Sequence, residues 1–205
     1  MKHIMSLLLA AGLVSTAQAA VFQNGGFESG DFSAATSFDT IYAGNSAITG
    51  WTVVGSVDWI NQLWQNSEGT RSIDLNGSGY GGMKQTFDTV AGRSYAVSFD
   101  LAGNPARQSL KTVNVSAGNF NNAYQFDTAG RNFNNMGWAS HSFSFVAQGN
   151  STTLSFISPT NDDNTYWGAT LDNVSVAVAP VPEPETYALM GIGLLGLLAA
   201  RRRKH

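Results

Sequence analysis

From residue 20 to residue 178 the chain is built of short runs in which apolar and polar residues alternate. No stretch there keeps the 3.6-residue period of an amphipathic helix. In 94–101, Tyr95, Val97, Phe99 and Leu101 fall on one face, and Ser94, Ala96, Ser98 and Asp100 on the other. The run 111–117 sets Val113, Val115 and Ala117 against Thr112, Asn114 and Ser116. His141, Phe143 and Phe145 share a face in 140–146, as do Leu154 and Phe156 in 152–158, and Val174, Val176 and Val178 in 172–178. Further strands are expected at 51–54, 57–60, 71–75 and 83–87. Turn signals separate the runs: Asn76-Gly77-Ser78-Gly79, Ala91-Gly92, Gly103-Asn104-Pro105 and Gly149-Asn150. Eight or more short strands in this length predict an all-β domain over 20–178, a two-sheet jelly-roll sandwich. A domain of that size buries a core without disulfides.

The two ends break the pattern. Met1-Lys2-His3, the apolar run 4–14 and Ala17-Gln18-Ala19 read as a signal peptide over 1–19, cut by signal peptidase after Ala19. The alternative is a buried N-terminal helix. At the other end (179–205) the chain runs through a proline-rich stalk, Val181-Pro182-Glu183-Pro184-Glu185, into an apolar stretch over 187–200. It then meets Arg201, Arg202, Arg203 and Lys204. Prolines keep the stalk extended. As a helix, 187–200 spans about 21 Å, short for a bilayer, which suits a transient inner-membrane anchor whose arginines stay cytoplasmic.

Proline-glutamate-proline, apolar segment and arginine stop, in that order, resemble the PEP-CTERM sorting signal of Gram-negative bacteria. The resemblance covers about 25 residues. It implies processing by an exosortase, a membrane-embedded cysteine transpeptidase, and delivery to the cell surface or extracellular matrix. A plain C-terminal anchor is the alternative.

Composition narrows the chemistry. There is no Cys, so disulfides, thiolate metal sites and a cysteine nucleophile are excluded. Of three His, only His141 lies away from the ends, which argues against a multi-His metal site or a Ser-His-Asp triad. Residues 20–180 hold six cations against twelve carboxylates, a net charge of −6. A nucleic-acid partner is not expected on such a surface.

Within the domain, Asn24-Gly25-Gly26-Phe27-Glu28, Gly50-Trp51-Thr52-Val53, Val57-Asp58-Trp59-Ile60, Ser72-Ile73-Asp74-Leu75-Asn76-Gly77, Gln85-Thr86-Phe87, Phe99-Asp100-Leu101-Ala102-Gly103-Asn104 and Leu171-Asp172-Asn173-Val174 occur in series. That order resembles the choice-of-anchor C family of bacterial surface proteins and the DUF642 domains of plant cell walls, which are galactose-binding-like jelly rolls. The resemblance implies a surface domain in contact with polysaccharide. It also implies a structural calcium ion between Glu28 and Asp172, since carboxylates and carbonyls supply the six to eight oxygens that Ca²⁺ takes. The alternative for these two is turn capping or an arginine partner. Asn161-Asp162-Asp163-Asn164 lacks the glycine and closing glutamate of an EF-hand and reads as a loop tip.

Five Trp are many for this length. Sugar rings present C–H faces that stack on aromatic rings, while amide and carboxylate side chains take the hydroxyls. Trp59, Trp64, Tyr80, Trp138, Tyr166 and Trp167 sit among Asn, Gln and Gly and are candidates for that contact, Trp64 first. Buried packing is the competing role for any Trp, and it is the role expected of Trp51. His141 reads as a core or rim residue. Asp74 and Asp100 are expected to fix a turn or pair with Arg71 or Arg93. The reading is a non-catalytic, polysaccharide-associated adhesion or matrix module. A glycan hydrolase using two carboxylates and an envelope protein without a glycan ligand are the alternatives.

Overall fold

The computed structural model describes residues 20–33, 35–159 and 165–180, together with Ile192. The signal peptide, the Asn161–Asn164 tetrad, Val181 to Glu185, the apolar run and the terminal arginines lie outside the described residues, apart from Ile192. Among the described residues no helix is long and apolar enough to cross a membrane.

The domain is the all-β sandwich that the alternation predicts. Ten strands follow in order: β1 (Phe38–Tyr42), β2 (Thr52–Asn61), β3 (Arg71–Asp74), β4 (Gly81–Asp88), β5 (Ser94–Gly103), β6 (Leu110–Ala117), β7 (Phe120–Asp127), β8 (Ala139–Val146), β9 (Ser151–Ile157) and β10 (Ala169–Val178). Every pairing is antiparallel. One layer runs β1-β2-β3-β10-β5-β8 and the other β2-β4-β9-β6-β7.

β2 belongs to both layers. Thr52 to Gly55 pair with β4, and Ser56 to Asn61 pair with β1 and β3. The crossing falls at Gly55, whose φ of 63° is left-handed and suits a residue without Cβ. A side chain there would strike the Tyr80 carbonyl. The two short strands expected at 51–54 and 57–60 are therefore one bent strand.

The apolar faces meet between the layers. Tyr95, Val97, Phe99 and Leu101 of β5, Val113 and Val115 of β6, Phe143 and Phe145 of β8, and Leu154 and Phe156 of β9 are all buried. Phe99 packs edge-on against Phe156 at 5.1 Å, and Phe27 lies 5.2 Å from Trp51. Each such side chain stabilises the fold by about 1.5–3 kcal/mol relative to exposure. The polar alternates of the second layer bond across strands on its outer face, Thr86 with Thr153 and Ser116 with Ser155, both at 2.7 Å.

Candidate functional site

Four aspartates share the outer side of one layer, and three of them hold its connections. Core-facing Trp59, Ile73, Leu171 and Leu101 lie in register across β2, β3, β10 and β5. Alternation then turns Asp58, Asp74, Asp172 and Asp100 to the outer side of this layer.

Asp74 is fully buried. It accepts hydrogen bonds from the N–H groups of Asn76 (3.0 Å) and Gly168 (2.9 Å) and from the Asn104 amide (2.7 Å). Those donors sit on three different connections: β3–β4, β9–β10 and β5–β6. Burial pushes the carboxyl up to about 7, opposed by these bonds and reinforced by Asp58, which the register sets opposite it. Asp58 is also raised by burial, while the Thr40 hydroxyl bonds it at 2.6 Å. Asp100 behaves differently. Burial raises it, but bonds from Ser140, Ser67 and Asn173, with His141 nearby, outweigh burial and hold it below the usual carboxylate range. Asp74 and Asp100 thus fix turns, and neither bonds Arg71 or Arg93.

Glu28 and Asp172 meet the same connection, β2–β3. Asp172 accepts from the N–H groups of Ser67 and Glu68 (2.9 Å each) and of Asn173 (2.7 Å). Glu28 accepts from Thr70 N–H and hydroxyl (2.7 Å each) and Arg71 N–H (2.8 Å). An ionised carboxylate offers about four lone-pair sites, so both are largely engaged as turn caps. Burial raises Asp172 to about 7, and the Glu68 charge adds to the rise. Among the described residues no three His, Cys, Asp or Glu side chains come together as a metal-binding group.

The connections that Asp74 ties down form one end of the sandwich, and Tyr166, Trp167 and Phe133 stand on the connections at that end. Tyr166 (54% exposed) packs edge-on against half-buried Trp167 at 5.8 Å. The Arg107 guanidinium lies 5.6 Å from the centre of the Trp167 ring. The Thr165 hydroxyl donates to the Tyr80 hydroxyl at 3.2 Å. Pro105 and Ala106, next to Arg107, form one wall of an open hollow of about 500 Å³, whose other lining is Arg131, Asn132, Phe133 and Asn134. Phe133 is 38% exposed. Arg131 runs beneath the β7–β8 connection against Gly137, where any side chain would collide with its guanidinium. Its Nε is buried without an acceptor.

The aromatic candidates divide. Trp59 is sealed in the core, its indole N–H donating to the Phe27 carbonyl at 3.0 Å. Trp64 is buried too, with its N–H on the Ser72 hydroxyl at 2.9 Å. Neither ring offers a face to a ligand, which corrects the expectation for both. Trp64 instead lies 6.1 Å from Phe133 and supports it from below. Tyr80 and Trp167 come together at the loop end. Trp138 sits apart at the foot of the β7–β8 connection, half-buried, donating to the Gln65 carbonyl at 2.7 Å. His141 is a rim residue between Phe99 and Tyr124.

No alternating run marks the hollow itself. Its signal lay in Arg131-Asn132-Phe133-Asn134-Asn135, an aromatic flanked by amides and a cation in a stretch without alternation.

Residues 20–177 match the family described as Protein of unknown function (DUF642), and residues 180–204 match the PEP-CTERM protein-sorting motif. The chain is 31% identical over 175 residues to Halomucin of Haloquadratum walsbyi (strain DSM 16790 / HBSQ001). That match covers 83% of this chain and 2% of that protein, so the chain spans a small part of its curated relative. Among solved structures it is similar to a family 35 carbohydrate binding module from Clostridium thermocellum, with 9% identity, a TM-score of 0.47, and 69% of this chain and 99% of that one covered. It is also similar to CBM35 from Paenibacillus barcinonensis, with 13% identity, a TM-score of 0.45, and 69% and 99% covered.

Proposed function

The chain belongs to the DUF642 family and ends in a PEP-CTERM sorting motif, and from that premise we propose that it is an exported, exosortase-sorted surface or matrix module that holds polysaccharide without acting on it chemically. The observation that carries the glycan reading is the loop end. There, Phe133 and the Asn132 and Asn134 amides line one open hollow with Arg131, Pro105 and Ala106, and exposed Tyr166 with half-buried Trp167 stands beside Arg107, the next residue along from that wall. Rings meet the C–H faces of a sugar, and the donors meet its hydroxyls. A mostly preformed hollow with a few polar groups is the usual form of a ligand site.

A non-catalytic role is supported by the carboxylates. A glycosidase needs two of them facing each other across an accessible cleft. Two pairs are opposed in register: Asp58 with Asp74, where Asp74 is buried beneath three connections and Asp58 is bonded to Thr40, and Asp100 with Asp172, both buried and both bonded by the β2–β3 connection. No carboxylate lines the hollow among the described residues.

Retention of the protein on host exopolysaccharide tests the reading. Trp167→Ala and Phe133→Ala should each weaken it about tenfold, equivalent to about 1.4 kcal/mol, with the melting temperature little changed. Trp64→Ala should instead lower the melting temperature, as expected for a core ring. Retention untouched by either surface substitution would remove the loop end from glycan binding.

Calcium enters the same reading as a stabiliser of the β2–β3 connection, not as a ligand contact. Glu28 and Asp172 are hard oxygen donors that bond that one connection, and the Glu68 charge already burdens Asp172. Calcium added back to chelated protein should raise the melting temperature, and Glu28→Gln should abolish the rise. A melting temperature indifferent to calcium would leave Glu28 and Asp172 as turn caps alone.

A further inference from the structure

Opposite the aromatic loops, the two described ends of the domain lie together. The Ala20 carbonyl accepts from Asp88 N–H at 2.8 Å, and Ala179 N–H donates to the Ser94 carbonyl at 3.0 Å. Three turns share this end: β4–β5, β6–β7 and β8–β9. They are tied by Thr89 N–H to Asn150 (3.1 Å), Gly92 N–H to Ala147 (2.7 Å) and Val146 N–H to the Asn119 side chain (2.9 Å).

Around this end stand four valines. Val21, Val90, Val146 and Val178 are 80%, 56%, 40% and 43% exposed. The register explains their gathering. Val146 lies opposite Ser94, Val178 lies opposite Tyr95, and Val90 N–H donates to the Tyr95 hydroxyl. A hollow of about 190 Å³ opens beside them between Phe22, Phe87 and Tyr95. The charged groups here are Asp88 and Arg93, which cancel, although residues 20–180 together carry −6. Grouped exposed apolar residues mark a contact surface.

The chain's own geometry names the contact. The sorting motif begins at residue 180, and six residues, 181–186, separate Pro180 from the apolar run 187–200. Fully extended, six residues reach about 20 Å. The ten residues of β5, which run from this end to the aromatic end, span about 33 Å. A bilayer holding 187–200 therefore faces the valine end, with the aromatic loops a strand length further out.

We propose that Val21, Val90, Val146 and Val178 form a membrane-seating surface that rests on the lipid interface while residues 187–200 are anchored, pointing the aromatic loops away from the bilayer. The inference rests on the sorting reading above.

The chain has no cysteine, so a single introduced one carries a unique probe. Val90→Cys, Val146→Cys and, as reference, Asn134→Cys on the loop end are each labelled with an environment-sensitive fluorophore. The full chain is then reconstituted into protein-free phosphatidylcholine–phosphatidylglycerol vesicles. Labels at 90 and 146 should shift to the blue and be quenched by brominated lipid at least twofold more than the label at 134. To exclude a dye that inserts by itself, Asn150→Cys is labelled with and without Val90→Ser and Val146→Ser. The double substitution should bring its quenching down to the reference level. Vesicle-bound protein whose labels at 90 and 146 stay as water-exposed as that at 134 would overturn the seating surface and leave the anchor intact. So would Asn150 quenching that ignores the serines. Failure of the chain to float with vesicles would overturn the anchor and the seating surface together.

Discussion

Asp74 shows how a residue without ligand contact can shape the end proposed to bind glycan. Its carboxylate gathers donors from three connections, two of which carry Trp167 and Arg107. Asp74→Asn would set an amide against the Asn104 amide and cost about 1–3 kcal/mol. The titration has a definite sign. With Asp74 and Asp172 both raised to about 7 from 3.8, the folded chain between those values holds protons that the unfolded chain releases. Stability therefore falls as pH rises through that window and levels off above it. The lowered Asp100 adds the opposite slope below the window, where acid removes its contribution. Calorimetry should find the highest melting temperature near pH 4, a few degrees above that at pH 7.5, and a shallower decline in Asp74→Asn. A melting temperature that climbs from pH 5 to 7.5 would contradict this account. Residue roles were unevenly legible. Trp51 reads as core from its place before an apolar strand. Trp64 reads as exposed because Gln62 and Gln65 flank it, yet that polar segment is the connection that closes over the ring.

Among the elements, β2 is the one on which the two layers depend. Gly55→Val would place a β-branched residue at φ 63° and drive its side chain into the Tyr80 carbonyl. The expected loss is about 2–5 kcal/mol, read as a lower denaturant midpoint. Gly44→Ala is the control: its φ is 83° and the space around it is open, so backbone strain of about 1–2 kcal/mol is all it should show. Equal losses from both would mean that the layer crossing tolerates a side chain. Strands buried on one face, such as β5, β6 and β9, were legible because burial imposes the period of two that the eye detects. β7 and β1 carry no such burial pattern. β7 closes one edge of its layer with most of its residues exposed, and β1 is a five-residue edge strand. With little to bury, neither needs strict alternation. The site was harder to read than the strands, because its hollow is assembled from connections brought together by hydrogen bonds, which leave no period in the sequence.

On the largest scale, the described ends of the domain, at Ala20 and Ala179, lie at one pole and the connections carrying Phe133, Tyr166 and Trp167 crown the other. Under the proposed sorting, release depends on the motif at 180–204. Replacing Pro182, Glu183 and Pro184 together by Ala should leave full-length protein in the inner membrane, seen as an unshortened band in membrane fractions. Release of shortened protein at the normal rate would assign processing to another route. The position of β10 adds a mechanical consequence. It lies between β3 and β5, antiparallel to both, and leads directly into the stalk. A glycan tugging on the crown while the stalk is held fast would load that strand along its length. Hydrogen bonds across the ladder run perpendicular to such a load, so they would share it in shear instead of unzipping one after another. On the proposed reading, the module would be oriented to bear tension as a tether.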